Sequence, residues 1–291
     1  MSENNFERGS AGESETDYKA FRGEFVIDQP SEKADDPLKE TSERRAGIKR
    51  LAQSVLGLPE ASWADLAKAG GYARYLQEVE RLCKYKQSLD EGEKYVDTWA
   101  QKEGVSVTKV SGMTIFRGTG VAGGPLVDQV LLSVTKNKAW THQPFGGKRN
   151  DGEGAVAAML RELGEEAGWE SASQLLEAFK VQTAFYVGYY VQKLSDKKAL
   201  LIQSFSMNGQ GFNTQKFVSG SDSSDYIWAD RKFFEERGKD ISLTEQAEKY
   251  MRDVFGFPRP PSKFTNPDER YYGTPDALYE GDGSNALPSN S

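Results

Sequence analysis

Between residues 147 and 169 the chain reads GKRNDGEGAVAAMLRELGEEAGW, and no other stretch restricts its fold and chemistry as tightly. No proline interrupts residues 154–167, and Val156, Met159, Leu160, Leu163 and Ala167 recur at helical spacing. They form an apolar stripe suited to packing on a core. Glu162, Glu165 and Glu166 fall at i, i+3 and i+4, so they share a different face. Three carboxylates there repel one another and weaken the helix unless something cationic lies among them. Arg161 is placed to pair with Glu165 one turn later. A hard divalent cation takes oxygen ligands, and Mg²⁺ typically combines one or two carboxylates with substrate phosphates. Gly168 suits a helix end that needs positive φ, and Gly146-Gly147 lets the backbone turn tightly and approach a ligand or metal. A Glu-rich helix face usually marks only a solvated surface. The fixed spacing of Gly147, Glu153 and Arg161 argues for more, because a solvated face requires none of them.

The order of these residues resembles the Nudix box, G-x5-E-x7-R-E-U-x-E-E-x-G-U with U a bulky apolar residue, and every specified position is met from Gly147 to Trp169. One fixed position matches by chance at roughly one in fifteen under ordinary composition, so the joint match is no coincidence. The resemblance covers residues 105–257. It implies a Nudix-type α/β/α sandwich with a mixed sheet and a pyrophosphohydrolase using Mg²⁺ or Mn²⁺. By the same resemblance Glu162, Glu165 and Glu166 are metal ligands, joined by the backbone carbonyl of Gly146, and one of the glutamates accepts a proton from the attacking water. Gly147 and Glu153 form the supporting shell with Arg161. Many family members carry a further acid before a late strand with Trp. Here DSSDYIW places Asp222 and Asp225 there, as general base or extra ligand, with an ordinary polar turn as the alternative.

Other residues near the box suit substrate. Trp140 can stack on a base or sit in the core. Lys148 and Arg149 can meet phosphate oxygens or be plain loop charges. Tyr186 lies in the window where diadenosine polyphosphate hydrolases carry a Tyr. The proline of many ADP-ribose hydrolases is replaced by Phe185, the Ser-Gln-Pro-Trp array of NADH hydrolases is absent, and PFGGK differs from the Pro-Lys-Gly form of decapping and diphosphoinositol enzymes.

Composition removes several alternatives. With 44 acidic against 37 basic residues, the net charge of −7 makes no case for non-specific binding to nucleic acid or an anionic membrane. One Cys, Cys83, rules out an internal disulfide or a Cys-rich zinc site, and one His, His142, leaves no material for His clusters. No apolar run approaches the ~20 residues of a membrane span. The polar, acidic N-terminus is unlike a secretory or mitochondrial signal, so a cytoplasmic or nuclear location is expected.

Along the chain, residues 1–40 are read as a mostly disordered tail, with FRGEFVI at 21–27 as a linear motif or docking strand. Residues 41–104 form a helical segment of unassigned role, available to a protein partner, with Ser62 as an N-cap. Strands are expected over 105–118, 126–136, 184–194, 199–207 and 226–229, and helices near 231–237 and 244–254. The G-x-G-x-x-G at 118–123 precedes a strand rather than a helix and reads as a hairpin loop. A Gly/Ser-rich loop spans roughly 208–224, and 258–291, with its Pro258–Pro261 run, is read as a disordered tail.

The expected substrate is a nucleoside diphosphate linked to another moiety, of dinucleotide or nucleotide-sugar type. Aromatic residues near the box suit stacking at about 1–3 kcal/mol per base, and an acidic chain lacks the phosphate contacts that long RNA needs. Capped RNA and diphosphoinositols are the alternative substrates. A non-catalytic Nudix-fold module that binds nucleotide or protein is the alternative class.

Overall fold

A computed structural model describes residues 15–23, 42–118, 129–135, 142–210, 212–214, 217, 223–237 and 270–273. Trp140, Asp222, Pro258–Pro261, the helix expected near 244–254, the glycine loop beyond Gly118 and residues 211, 215–216 and 218–222 of the expected Gly/Ser-rich loop lie outside the described residues. The chain divides into two compact units, 1–79 and 80–291.

The first unit is helical. It contains α1 (Glu15–Arg22), α2 (Ser42–Leu56), α3 (Trp63–Lys68) and most of α4 (Gly71–Arg81). Ser62 caps α3 in a reciprocal box with Asp65, satisfying amides that the first helical turn leaves open. Phe21, Leu51, Trp63, Leu66, Tyr75 and Val79 are buried. Residues 15–22, within the segment read from composition as mostly disordered, form a helix instead. Tyr18 and Phe21, three residues apart, both reach the Trp63 ring, with centroids at 4.7 Å and 4.9 Å. Burying such aromatics offsets the ordering cost that a polar composition suggests would prevail.

The second unit is α/β, a mixed sheet with helices on both sides. Its elements are α5 (Lys86–Glu103), β1 (Ser106–Arg117), β2 (Gln129–Thr135), β3 (His142–Gln143), β4 (Phe145–Lys148), α6 (Ala155–Ala167), α7 (Trp169–Lys180), β5 (Ala184–Ser195), β6 (Lys198–Asn208), β7 (Ser223–Asp230), α8 (Arg231–Arg237) and β8 (Arg270–Gly273). The strand order is β3-β2-β1-β6-β5-β8, with β4 added to β1 and β7 to β2. Strand β1 is the organiser. Along one edge it runs parallel to β6, from Ser106 opposite Lys198 to Phe116 opposite Asn208. Along the other it forks, pairing Val110–Met113 with β4 and Ile115–Arg117 with β2, both antiparallel.

Three packing groups seat the helices. Val96 of α5 meets Val105, Val191, Ala199 and Leu201. Phe234 of α8 meets Val130, Leu132 and Ala229. Phe179 of α7 packs edge-on against Phe205, with centroids at 5.7 Å. In α6 the whole stripe of Val156, Met159, Leu160, Leu163 and Ala167 is buried. Gly168 ends α6 at φ 89° and α7 starts at once. The Trp169 ring folds back over Gly164, where a Cβ would come within 2.6 Å of it. Helix α7 and the short strands β3, β4 and β8 go beyond the elements expected from sequence. Among the described residues no helix is long and apolar enough to cross a membrane.

Candidate functional site

The fork in β1 decides where the box begins. Ser111 lies opposite Gly147 and Gly112 opposite Gly146. Gly146 has φ 140°, and a Cβ there would overlap the carbonyl of Ser111. A side chain is excluded at this crossing both by conformation and by space. At Gly147 a Cβ would overlap the carboxylate of Glu162. The absent side chain is therefore the seat of an acidic group reaching over from α6.

Arg161 is the hub of the charges. Its Nε donates to Glu153 Oε1 at 2.9 Å and its Nη2 to Glu153 Oε2 at 3.0 Å. Nη1 donates to Glu162 Oε1 at 2.8 Å and to Glu165 Oε2 at 2.9 Å, and Nη2 also donates to the Lys148 carbonyl at 2.7 Å. The sequence pairs Arg161 with Glu165 alone; here one planar fork serves three carboxylates, a geometry an ammonium could not match. Glu153 Oε2 also accepts from the Asn150 amide at 2.9 Å, tying the loop before α6 to the same hub. Glu166 turns to the other side and accepts from the Gly146 amide at 3.1 Å.

Burial pushes the Glu162 carboxyl above its ordinary value; Arg161 opposes this and Glu165 adds to it. Burial acts against the Arg161 charge, but the hydrogen bonds it donates to Glu153 and the charges of Glu162, Glu153 and Glu165 raise its pKa, so it stays protonated. One guanidinium is shared by three carboxylates, Glu153, Glu162 and Glu165, and Glu166 adds a fourth on the Gly146 side, so the formal charge of the cluster is negative. Among the described residues no three Asp, Glu, His or Cys side chains stand close enough as placed to enclose a metal ion. Glu162 and Glu165 are instead shared out to Arg161, and Glu166 to Gly146.

The remaining candidates fall in different places. The Lys148 side chain is exposed at the end of β4, while its carbonyl serves Arg161. Arg149 does not face outward. Its Nη1 donates to Glu93 Oε2 at 2.8 Å and to Gln203 Oε1, and its Nε to the Glu153 carbonyl at 3.1 Å. These internal bonds engage the guanidinium that the sequence offers to a phosphate. Tyr186 is 1% exposed and packs edge-on against Phe205, so it belongs to the core rather than to a ligand surface. Asp225 is exposed on β7 and its Oδ1 accepts from the Tyr226 amide at 2.7 Å. The Tyr226 hydroxyl donates to the Glu166 carbonyl, so β7 meets the last turn of α6 one residue from Asp225. His142 lies edge-on to Phe233, 5.7 Å between centroids.

Glu80, Glu93, Lys109, Gln203 and Tyr226 were not foreseen. Glu80 Oε1 accepts from the Val156 and Ala157 amides at 2.8 Å and 2.9 Å, closing the N-terminus of α6. A Cβ on Gly154 would overlap this carboxylate, which explains the glycine at the N-cap. These partners come from distant parts of the chain and leave no local signal.

No family model matches the chain, and no curated protein matches it. Among solved structures, similarity is found to a Nudix hydrolase from Alicyclobacillus acidocaldarius (12% identity, 53% of this chain and 94% of that one, TM-score 0.39). A C. elegans Ap4A hydrolase binary complex is similar at 18% identity, 52% and 99% coverage and TM-score 0.33. The E. coli ORF135 protein is similar at 15% identity, 52% and 90% coverage and TM-score 0.32. Likeness this weak leaves the functional reading with the residues of the site.

Proposed function

We propose that this chain is a Nudix-type hydrolase that cleaves a phosphoric anhydride in a nucleoside diphosphate linked to another moiety, with Mg²⁺ or Mn²⁺ as cofactor. The observation that carries the reading is the cluster around Arg161: a complete box whose carboxylates are gathered over two glycines and left net negative. The donor set fits a hard divalent cation, because Glu162, Glu165, Glu166 and the Gly146 carbonyl offer only oxygen. Bound there, such an ion would lower the pKa of a water and neutralise phosphate oxygens. Arg161 sets the spacing of Glu162 and Glu165, and Glu153 fixes Arg161. Glu166, held on the Gly146 amide, fixes the approach of β4 to α6. A glutamate of this face, or Asp222 or Asp225, takes the proton of the attacking water. A substrate of dinucleotide or nucleotide-sugar type is favoured by the acidic charge of the chain and by the partly exposed Phe185 and Trp228, the described aromatics of the expected set that are not fully buried.

The test is a screen of ADP-ribose, NADH, diadenosine polyphosphates, capped RNA and diphosphoinositols with Mg²⁺ or Mn²⁺, products being identified by mass. Glu165→Gln and Glu166→Gln should each lower turnover at least about a hundredfold, in line with loss of ligands that stabilise transition-state charge, while a cooperative melt is kept. Unchanged metal-dependent turnover in both variants refutes the assignment. Turnover confined to capped RNA or diphosphoinositols refutes the substrate class and leaves the reaction standing.

A further inference from the structure

Helix α5 lies outside the stretch that carries the box, yet it is wired to the box through one carboxylate. Glu93 accepts from Lys109 Nζ at 2.5 Å and from Arg149 Nη1 at 2.8 Å. Burial alone would raise the Glu93 carboxyl, but hydrogen bonds from Arg149 and Lys109 and their charges hold it below its ordinary value. Arg149, with a side chain only 9% exposed, passes the connection on. Its Nε holds the Glu153 carbonyl, while the Glu153 carboxylate holds the Asn150 amide and two donors of Arg161. Arg161 then holds Glu162 and Glu165. The hydrogen bonds run without a gap from α5 to the acidic face of α6.

A buried guanidinium that loses its charge partner carries a desolvation cost that no neutral acceptor offsets. Without the Glu93 charge, Arg149 keeps the charge of Glu80 and the neutral oxygens of Gln203 and Glu153, but loses its directly bonded carboxylate. Its hold on the Glu153 carbonyl, and with it on the loop that carries the Arg161 clamp, then weakens. Arg149 is thus better placed to hold this loop than to meet a substrate phosphate.

We propose that Glu93 is a positioning residue, acting through Arg149 and Glu153 to fix Arg161 and so the spacing of the carboxylates that would hold the divalent cation. The proposal rests on the hydrolase reading for its last link. Partners that orient metal ligands typically change metal affinity 10–100-fold when removed; Glu93 acts at one remove, so the low end applies.

The full-length chain and its Glu93→Gln, Glu93→Asp and Arg149→Lys variants test this. Two quantities are read: the Mn²⁺ dissociation constant by calorimetry with the metal alone, and solvent exchange of the Arg161 Nε proton by NMR. Glu93→Gln should raise the dissociation constant about tenfold and speed the exchange severalfold, with a cooperative melt retained. Glu93→Asp should fall between Gln and the native residue. Arg149→Lys keeps the charge but loses the fork, and should loosen Arg161 as Gln does; it carries the test if Glu93→Gln does not fold. Exchange unchanged in both Glu93→Gln and Arg149→Lys overturns the proposal, as does faster exchange with unchanged Mn²⁺ affinity. If the native chain binds no Mn²⁺, the hydrolase reading falls by itself, and the Arg161 exchange still decides whether Glu93 positions Arg161.

Discussion

A single methyl group measures how closely Gly147 and Glu162 are fitted. Gly147 lies in β4 without a positive φ, so alanine there meets no backbone strain, only the Glu162 carboxylate. Gly147→Ala should therefore leave thermal unfolding almost unaltered and reduce metal-dependent turnover by about tenfold or more, since small misplacements of catalytic groups are costly. Normal turnover in a folded Gly147→Ala protein would show that the Glu162 position is not critical. Gly146→Ala belongs to another class, because it strains φ and drives a Cβ into the Ser111 carbonyl, and should depress the melting temperature itself. At this scale the sequence was informative where spacing along one helix carried the geometry: the pairing of Arg161 with Glu165 follows from the 3.6-residue repeat, whereas Glu166, expected on the face of Glu162 and Glu165, is turned to the Gly146 amide. It misled where composition stood in for direction. Arg149 looked like a loop charge open to phosphate and is turned inward by Glu93. Tyr186 looked like a ligand group, but the alternation of β5 directs it into the core.

Helix α6 is fixed at both ends by residues that a periodicity count passes over. Its N-terminal amides are closed by Glu80, a half-buried carboxylate whose pKa is raised by desolvation against the pull of the Ala157 amide, Arg149 and the Val156 amide. The sign of its pH effect follows. Below the unfolded value, near 4.5, the carboxyl is neutral in both states. As pH rises from there, the unfolded chain ionises first, and native stability falls until the folded pKa is passed. Glu80→Gln keeps the acceptor oxygen without the charge. It should match or exceed the native melting temperature at pH 7, with the difference vanishing towards pH 4.5. Glu80→Ala should instead cost about 1–2 kcal/mol, as the loss of an N-cap does. A Gln variant less stable than the native chain at pH 7 would show that the ionised form is the one the cap prefers. At the other end, Gly168 terminates α6 as its position in the box suggests. Helix α7 was nonetheless missed, although Trp169, Ala172, Leu175, Leu176 and Phe179 lie at helical spacing. It follows α6 without a linker, and a glycine read as a stop can equally be a corner. The strands β3 and β4 were hidden for a different reason. A two-residue strand and FGGK carry no alternation, and only pairing with β1 and β2 makes them strands.

For the molecule as a whole, the sequence divides the chain where the period changes from helix to strand, at residue 105, whereas contacts divide it between Val79 and Glu80. The apolar side of α5 explains the difference, because Val96 completes a cluster whose other members come from the sheet and the turn before β1. A fragment starting at residue 80 should unfold cooperatively. One starting at 105 would leave Val105, Val191, Ala199 and Leu201 open to water, and should aggregate or melt without cooperativity. A 105–291 fragment as stable as 80–291 would show that α5 is dispensable. Mixed pairing is a property no local pattern reveals, because whether two apolar strands run parallel depends on the connection between them. That pairing also carries a consequence for birth on the ribosome. Strand β1 is made early, but its long parallel neighbour is β6, and the chain from Arg117 to Lys198 must be synthesised first. At ~5–20 residues per second, the central strand of the sheet waits for seconds with one edge bare. Helix α5 waits with it, since Val191, Ala199 and Leu201 have yet to emerge. The nascent chain is most vulnerable at the strand that later organises everything around it.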